Sequence, residues 1–259
     1  MPSFEFVRYE KEGRVATVTL QRPEVMNALH PPANEELVRV WHDFAADPDA
    51  WVAILTGAGG KAFSAGNDLK WQAAGGTRER PKSGFAGLCT RFGLNKPLIA
   101  AVNGVAMGGG FELALACDII VAAETARFAL PEPRVGLAAL AGGLHRLPRQ
   151  IPMKQAMGMI LTGRHVPAAE GKTLGFVTEV VPEGQALAGA RRWAAQILEC
   201  SPMSIRASKE AVYSSQDAAS LEAAMRTEYP ASVAMRQSAD YVEGPKAFAE
   251  KRKPDWKGR

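Results

Sequence analysis

The sequence contains few cysteines and histidines, and their positions exclude several kinds of site. Its 259 residues include three cysteines, Cys89, Cys117 and Cys200, and four histidines. The cysteines are far apart and have no Cys-x-x-Cys spacing, which argues against a disulfide framework or a zinc site. The histidines also lack the spacing of metal ligands. We therefore expect no metal site and a reducing, cytoplasmic environment.

Long apolar runs and a strong excess of charge are also missing. No apolar run reaches the ~18 residues of a membrane span, and the segment MPSFEFVRYEKEGR is charged too early for a signal peptide. The net charge is +4, from 31 basic and 27 acidic residues, which is too small to indicate a nucleic-acid-binding protein. We expect neither a membrane nor a nucleic acid as a partner.

One basic cluster lies near the C-terminus and has two interpretations. It is either a solvated tail or a contact with the phosphates of a partner molecule. The cluster consists of Lys246, Lys251, Arg252, Lys253, Lys257 and Arg259.

The apolar pattern predicts an α/β protein. A strand, a turn, a second strand and a helix follow one another repeatedly, which indicates parallel strands joined by crossover helices. A helix is predicted from about Ala33 to Ala46, and another opens at the triple glycine 108–110. The predicted strands cover residues 14–20, 51–57, 98–104, 118–123, 126–130 and 176–181.

From about Pro182 the pattern becomes helical. A long helix is predicted from near Asp217, with Leu221, Met225 and Tyr229 on its apolar face, and Pro230 is expected to kink or break it. So short a region buries little by itself, and we expect it to pack on the main domain or on another subunit.

Two glycine-containing loops could direct backbone amides at one oxygen. Ala65 follows a buried strand, and Gly109 lies where a helix begins, so its amide has no intrahelical acceptor. Two such N–H groups at one oxygen would form an oxyanion hole. The alternative is that both loops are only tight turns, and spacing alone leaves it open.

The same loops fit two other motifs poorly. The segment TGAGGKAFS has Leu55 where a Walker loop needs its first glycine, and Ala62 where it needs Ser or Thr. Ser64 resembles the nucleophile of a hydrolase elbow, but such enzymes need a late histidine and the last one here is His165. Nucleotide binding and serine hydrolysis are therefore both disfavoured.

Two glutamates occupy apolar or rigid surroundings. Glu112 lies in the first turn of the helix that Gly109 opens, and Glu132 is held between two prolines. A carboxyl group in apolar surroundings tends to have a raised pKa that suits acid or base catalysis. The alternative for each is a helix cap or an arginine partner. Asp68 and Asp118 are expected to be turn or cap residues.

Taken together, these motifs resemble the crotonase (enoyl-CoA hydratase/isomerase) superfamily. The resemblance rests on the segments KAFSAGNDLK, NGVAMGGGFELALACDIIVAAETARFALPEPRVGL, RPEVMNAL and EGPKAFAEKRK. It extends from about Val15 to the C-terminus and is greatest for the carnitinyl-CoA dehydratase-like branch. It implies a spiral of ββα repeats over residues 1–190 and a helical trimerisation region over residues 191–259. Homotrimers or dimers of trimers, that is hexamers, are implied as the assembly.

The resemblance also implies roles for individual residues. Glu112 and Glu132 match the two catalytic glutamates of the hydratases, and the Ala65 and Gly109 amides match the pair that binds the thioester carbonyl. Lys251 matches a C-terminal lysine that reaches a CoA phosphate, often on a neighbouring subunit. The implied contacts with CoA are made by Val25, Ala28, Ala62, Gly66, Asn67, Asp68 and Lys251.

Because both glutamates are present, the resemblance favours an enoyl-CoA hydratase that adds water reversibly to a 2-enoyl-CoA. Coenzyme A is then part of the substrate, and no cofactor is implied. The alternatives are a crotonase-fold isomerase, an acyl-CoA hydrolase and a non-catalytic acyl-CoA-binding subunit. The stretch 136–143 lacks the proline common in hydratases, which leaves the acyl specificity open. Trp71 and Phe111 either narrow the acyl pocket or belong to the core, and residues 71–87 are expected to form a mobile loop over the site.

Overall fold

The computed structural model describes residues 4–76 and 81–259. Their contacts divide the chain into two compact units. The first contains the described residues up to Arg91 together with Leu98–Ala194, and the second contains Phe92–Pro97 and Ala195–Arg259. Residues 77–80 of the expected mobile loop lie outside the described residues, so its mobility stays a prediction.

The first unit is built on two sheets. One sheet has the order β1-β2-β3-β5-β7-β10, and the other has the order β4-β6-β8-β9. The strands are β1 (Val7–Glu12), β2 (Val15–Leu20), β3 (Val52–Gly57), β4 (Ala62–Ser64), β5 (Leu98–Val102), β6 (Val105–Met107), β7 (Ile119–Ala123), β8 (Arg127–Ala129), β9 (Val166–Pro167) and β10 (Glu179–Val181).

Strand pairing confirms the predicted α/β class and parallel arrangement. Strands β2, β3, β5, β7 and β10 pair in parallel, whereas β1 is antiparallel to β2. Strands β3 and β5 are buried along their whole length, because a parallel sheet covered on both faces needs continuous apolar runs. Each of β3, β5 and β7 is followed by a short strand of the second sheet, which gives the ββα repeat.

The helices follow the strands in the first unit and make up most of the second. They are α1 (Pro31–Ala46), α2 (Leu69–Ala73), α3 (Gly109–Leu115), α4 (Gly143–Gln150), α5 (Met153–Thr162), α6 (Ala168–Leu174), α7 (Ala186–Leu198), α8 (Pro202–Ser215), α9 (Leu221–Arg226), α10 (Pro230–Arg236) and α11 (Ala239–Ala249). None of the helices in the described ranges is long and apolar enough to cross a membrane.

Helix α3 lies in the core of the first unit. All of its residues are buried, and the Phe111 ring packs against Phe128 and Phe176 at centroid distances of 5.2 and 5.1 Å. Phe111 is therefore a core residue rather than part of an acyl pocket. A core helix of this kind gives its N-terminus a fixed position.

The break predicted at Pro230 is confirmed, whereas the long helix predicted from near Asp217 is wrong. The segment forms two short helices, because the Ser220 hydroxyl accepts a hydrogen bond from the Ala223 amide and starts α9, and Pro230 starts α10. Leu221 and Met225 are 77% and 79% exposed, so the predicted apolar face is not buried within this chain. Strand β1 was also missed, because its outer residues are largely charged.

Candidate active site

The two loops that the sequence singled out meet in the structure. Gly66 has φ +86°, and a Cβ atom built on it would lie 2.7 Å from the Gly109 amide nitrogen. A Cβ on Gly110 would in turn overlap the Ser64 carbonyl group. Only glycine allows the two backbones to approach this closely. The loop after β4 and the N-terminus of α3 therefore form one continuous wall.

This wall borders a cavity in the first unit. Its lining comes from the start of α1, the loop after β4, α2, α3 and the segment after β8. The residues that line it are His30, Pro31, Asn34, Asn67, Asp68, Trp71, Gln72, Phe85, Gly109, Glu112, Glu132, Leu137, Ala138 and Ala141. Both candidate glutamates and one candidate oxyanion donor thus face the same space.

Glu112 is a buried carboxyl group held by the chain. It is only 3% exposed, and its Oε1 accepts a hydrogen bond of 2.9 Å from the Gly143 amide, the first amide of α4. A helix N-terminus favours a carboxylate, because its first amides are free to donate and its dipole is positive. The geometry therefore fixes the orientation of Glu112 in the cavity wall.

Glu132 has different surroundings. Its Oε2 is buried and has no hydrogen-bond partner among the described residues. Burial raises the pKa of this carboxyl group, against the smaller lowering effect of its own backbone N–H. A Cβ on Gly108 would lie 2.9 Å from Glu132 Oε1, so the glycine leaves space for the carboxyl group. Glu132 therefore keeps its proton to a higher pH than an exposed glutamate does.

Ala65 does not occupy the position predicted for it. Its amide donates a hydrogen bond of 2.9 Å to the Met26 carbonyl, and Ala65 is not among the cavity-lining residues. Asn67, two residues further on, does line the cavity, and it is bridged to Leu29. The left-handed turn at Gly66 redirects the chain between these two residues. Sequence spacing could identify the loop but not which of its amides points inward.

Asp68 acts as the expected cap and also lines the cavity. Its Oδ1 accepts a hydrogen bond of 3.1 Å from the Trp71 amide at the start of α2. Its Oδ2 pairs with the Arg22 guanidinium at 3.0 Å. These bonds fix α2, so that Trp71 and Gln72 face the cavity. Trp71 is therefore a pocket residue, in contrast to Phe111.

The other residues matched to CoA contacts occupy three environments. Val25 ends a 3₁₀ turn, Pro23–Val25, and Ala28 is buried just beyond it. Ala62 lines a second, more open cavity beside Gly59, Gly60 and Lys61. Lys251 belongs to the second unit, where it is exposed and has φ +52° two residues after the end of α11. Their contacts with CoA stay predictions.

The sequence predicted no role for His30 at this site, because the histidines were judged only as metal ligands. Phe85 was predicted only as part of the loop 71–87 over the site, and the structure places it in the cavity lining. A histidine directly before Pro31-Pro32, at the start of a helix, was the available signal for His30. Within residues 4–76 and 81–259, no group of three or more His, Cys, Asp or Glu side chains is arranged to hold a metal ion.

Comparison with known proteins places this cavity in a family. The model of the enoyl-CoA hydratase/isomerase family matches residues 10–259. The chain is 43% identical to carnitinyl-CoA dehydratase of Escherichia coli K12, over 98% of this chain and 99% of the relative. The chain belongs to the enoyl-CoA hydratase/isomerase family.

Solved structures agree with this assignment. The crystal structure of enoyl-CoA hydratase from Mycobacterium tuberculosis H37Rv superposes with a TM-score of 0.92 at 38% identity, over 98% of this chain and 99% of that one. That of carnitinyl-CoA hydratase from Mycobacterium avium gives a TM-score of 0.79 at 39% identity, over 99% and 100%. The enoyl-CoA hydratase/isomerase fold predicted from the motifs is thereby confirmed.

Proposed function

We propose that the protein is an enoyl-CoA hydratase that adds water reversibly across the 2,3 double bond of a 2-enoyl-CoA thioester. The observation that carries this proposal is the common cavity of Glu112, Glu132 and Gly109. Two carboxyl groups in different surroundings can divide acid and base roles between them. The family membership and the names of the relatives support the same reaction class.

In this mechanism Glu112 is the general base. Its Oε1 is oriented by the Gly143 amide, and the carboxylate takes a proton from the attacking water. The oxygen of that water attacks C3, and the electron pair of the double bond moves toward the thioester carbonyl. Glu132, whose pKa is raised by burial, then delivers its proton to C2. Exchange with solvent returns both carboxyl groups to their starting states.

The negative charge that develops on the thioester oxygen needs hydrogen-bond donors to stabilise it. Gly109 supplies one amide from the N-terminus of α3, and we assign the second to the backbone of Asn67 rather than Ala65. Asn67 lines the cavity, whereas the Ala65 amide is bonded to Met26. A preorganised donor of this kind typically contributes about 3 kcal/mol to transition-state stabilisation.

We propose that the substrate is an acyl-CoA, of which coenzyme A is a part. Because each proton transfer in this route uses a carboxyl group of the chain, the proposed reaction needs no further cofactor. The printed names of two relatives, carnitinyl-CoA dehydratase and carnitinyl-CoA hydratase, make dehydration of a 3-hydroxyacyl-CoA the reverse direction to test.

We further propose that the chain assembles as a homotrimer or a dimer of trimers. Support comes from α5, where Met153, Met157 and Leu161 recur every four residues and are 58%, 37% and 67% exposed. Side chains four apart share one helix face. An apolar stripe of this kind is typical of a surface that another subunit covers.

The deciding experiment follows the absorbance of the conjugated thioester in crotonyl-CoA. We expect the absorbance to fall as 3-hydroxybutyryl-CoA forms. Glu132→Gln should lower kcat by at least about 100-fold, since general acid catalysis typically contributes that much, while crotonyl-CoA still binds in calorimetry. A double bond that shifts without water uptake would identify an isomerase, and near-normal turnover in Glu132→Gln would remove the acid role from this residue.

A further inference from the structure

His30 is a polar side chain of the cavity that the proposed mechanism does not use. His30 is 5% exposed and lines the same space as Glu112 and Glu132. Its imidazole makes no hydrogen bond to any residue that the structure describes, and its Nδ1 is buried without a partner. Buried polar atoms are nearly always hydrogen-bonded, so an exception calls for a physical reason.

Helix capping does not supply that reason. His30 is the N-cap residue of α1, but its side chain accepts no hydrogen bond from the helix. Ser, Thr, Asp and Asn are the residues that favour this position, and they would satisfy an amide there. Only the His30 carbonyl is used, by the Asn34 amide and side chain.

The ring is held by apolar contacts instead. Phe6 and Trp71 pack edge-on against it at centroid distances of 4.5 and 5.1 Å. These contacts need an aromatic ring but no nitrogen atoms. The nitrogen atoms of His30 therefore have no hydrogen-bonding role among the residues that the structure describes.

The neighbouring polar side chains of the cavity form hydrogen bonds or ion pairs with other residues of the chain. Asp68 is bonded to Trp71 and Arg22, and the Asn67 side chain donates to Gln72. Asn34 bonds the Ala86 amide through its Oδ1. Apart from Glu132, which already has a role in the proposed mechanism, His30 is the side chain of this wall with a buried polar atom for which the described residues offer no hydrogen bond.

These surroundings favour the neutral form of His30. Burial and the positive charge of Arg22 lower the pKa of its imidazole, against the smaller raising effects of Asp68, Glu5 and Glu36. A neutral imidazole presents one N–H donor and one acceptor nitrogen. This combination suits an uncharged hydrogen-bonding group better than an ion.

We propose that His30 determines substrate specificity by hydrogen-bonding an uncharged polar group, such as a hydroxyl, on the acyl chain of the substrate. The proposal rests on the proposed function, since it assumes that the cavity receives an acyl-CoA. It narrows the substrate to enoyl-CoA esters whose acyl chain carries such a group beyond C3. A site that bonds a hydroxyl discriminates strongly against an analogue without one.

The test compares crotonyl-CoA with 4-hydroxycrotonyl-CoA, which differ by one hydroxyl group. We expect wild-type kcat/KM to be higher for the hydroxylated ester. His30→Phe keeps the ring packing and removes both nitrogens, and it should lower kcat/KM at least about tenfold for the hydroxylated ester but less than about twofold for crotonyl-CoA. His30→Gln, which restores a donor and an acceptor, should recover part of the preference.

A binding experiment separates this proposal from the proposed function. Calorimetry with butyryl-CoA and 4-hydroxybutyryl-CoA needs no turnover, so it reports on His30 even if neither enoyl ester is hydrated. We expect His30→Phe, folded as judged by circular dichroism, to lose affinity for the hydroxylated ester only. Equal losses for both esters would place the histidine against the shared CoA part, and no loss for either would leave it without a ligand. Both results overturn the proposal.

Discussion

At the scale of single residues, the pocket contains two glutamates with unlike environments. Glu112 is hydrogen-bonded to a helix N-terminus, whereas Glu132 has a buried oxygen with no hydrogen-bond partner in the described part of the chain. Burying a carboxyl group favours its neutral form. Glu132 is thus suited to its proposed role as acid, and at high pH it should lower the stability of the fold.

The sign of this effect follows from linkage. The pKa of Glu132 is higher in the folded protein than in the unfolded chain. Below the unfolded-state pKa the carboxyl group is protonated in both the folded and the unfolded state, so its burial as a charge does not reduce the free energy of unfolding there. Stability is lost as the pH rises through the folded pKa. Glu132→Gln should therefore have a higher Tm than wild type at pH 8 and the same Tm at pH 4.

Differential scanning calorimetry at both pH values checks this prediction. The exposed Glu35, replaced in Glu35→Gln, is the matched control and should show no such pH-dependent gain. A Tm difference for Glu132→Gln that is equal at the two pH values would mean that the buried charge is not its cause.

Some residues of this pocket could be predicted from the sequence alone. Glu112 and Glu132 could be singled out because a carboxyl group in an apolar helix or between two prolines is unusual. Ala65 could not be distinguished from Asn67, because the direction of each amide depends on the positive φ of Gly66 and on the bridge to Leu29. Nor could His30 be assigned, since its partners Phe6 and Trp71 are distant in sequence.

At the scale of elements, the contact between the loop after β4 and the start of α3 controls the oxyanion donors. Gly66→Ala would place a Cβ 2.7 Å from both the Gly109 amide nitrogen and the Met107 carbonyl oxygen. We expect the loops to separate and kcat for crotonyl-CoA to fall at least about tenfold, since a displaced donor loses its transition-state bond.

Gly184→Ala is the control for backbone strain. Gly184 has φ +76° and open space around its Cβ position, so this substitution carries the left-handed penalty of about 1 kcal/mol without a clash. Stopped-flow kinetics and chemical denaturation of both variants separate the effects. Equal losses of stability with unchanged turnover in both would show that the approach of the two loops does not matter for catalysis.

Elements with strong local patterns were the most predictable. Strands β3 and β5 and helix α3 agree with the expected positions, since buried parallel strands and a glycine-opened helix have distinctive sequences. The start of α10 at Pro230 agrees with the predicted break, whereas the shortness of α9 was less visible, because an apolar spacing of four also occurs on surfaces. The order of the strands depends on long-range pairing, which local sequence does not encode.

At the scale of the whole molecule, assembly is the first property to test. Met157→Glu places a charge on the exposed apolar stripe of α5, and we expect it to shift a trimer or hexamer toward monomers. Light scattering coupled to gel filtration measures this change. Gln155→Glu adds the same charge to an exposed position of the same helix and should leave the mass unchanged. A wild-type monomer would contradict the proposed assembly.

The basic C-terminal cluster supplies a second test at this scale. Lys251 is exposed, and the resemblance assigns it to a CoA phosphate. Lys251→Ala should weaken binding of butyryl-CoA more than that of butyryl-pantetheine, which has no phosphates, and added salt should reduce the difference. Equal losses for the two ligands in calorimetry would argue for a solvated tail.

The bond between Gly143 and Glu112 links the chemistry to the stretch 136–143. Since the first amide of α4 holds the carboxyl group, a change in the length or conformation of that stretch should displace Glu112 without replacing it. The same stretch contributes Leu137, Ala138 and Ala141 to the cavity wall. The acyl pocket and the orientation of the proposed base therefore depend on the same eight residues, and variants selected there for a new acyl group should also show an altered kcat.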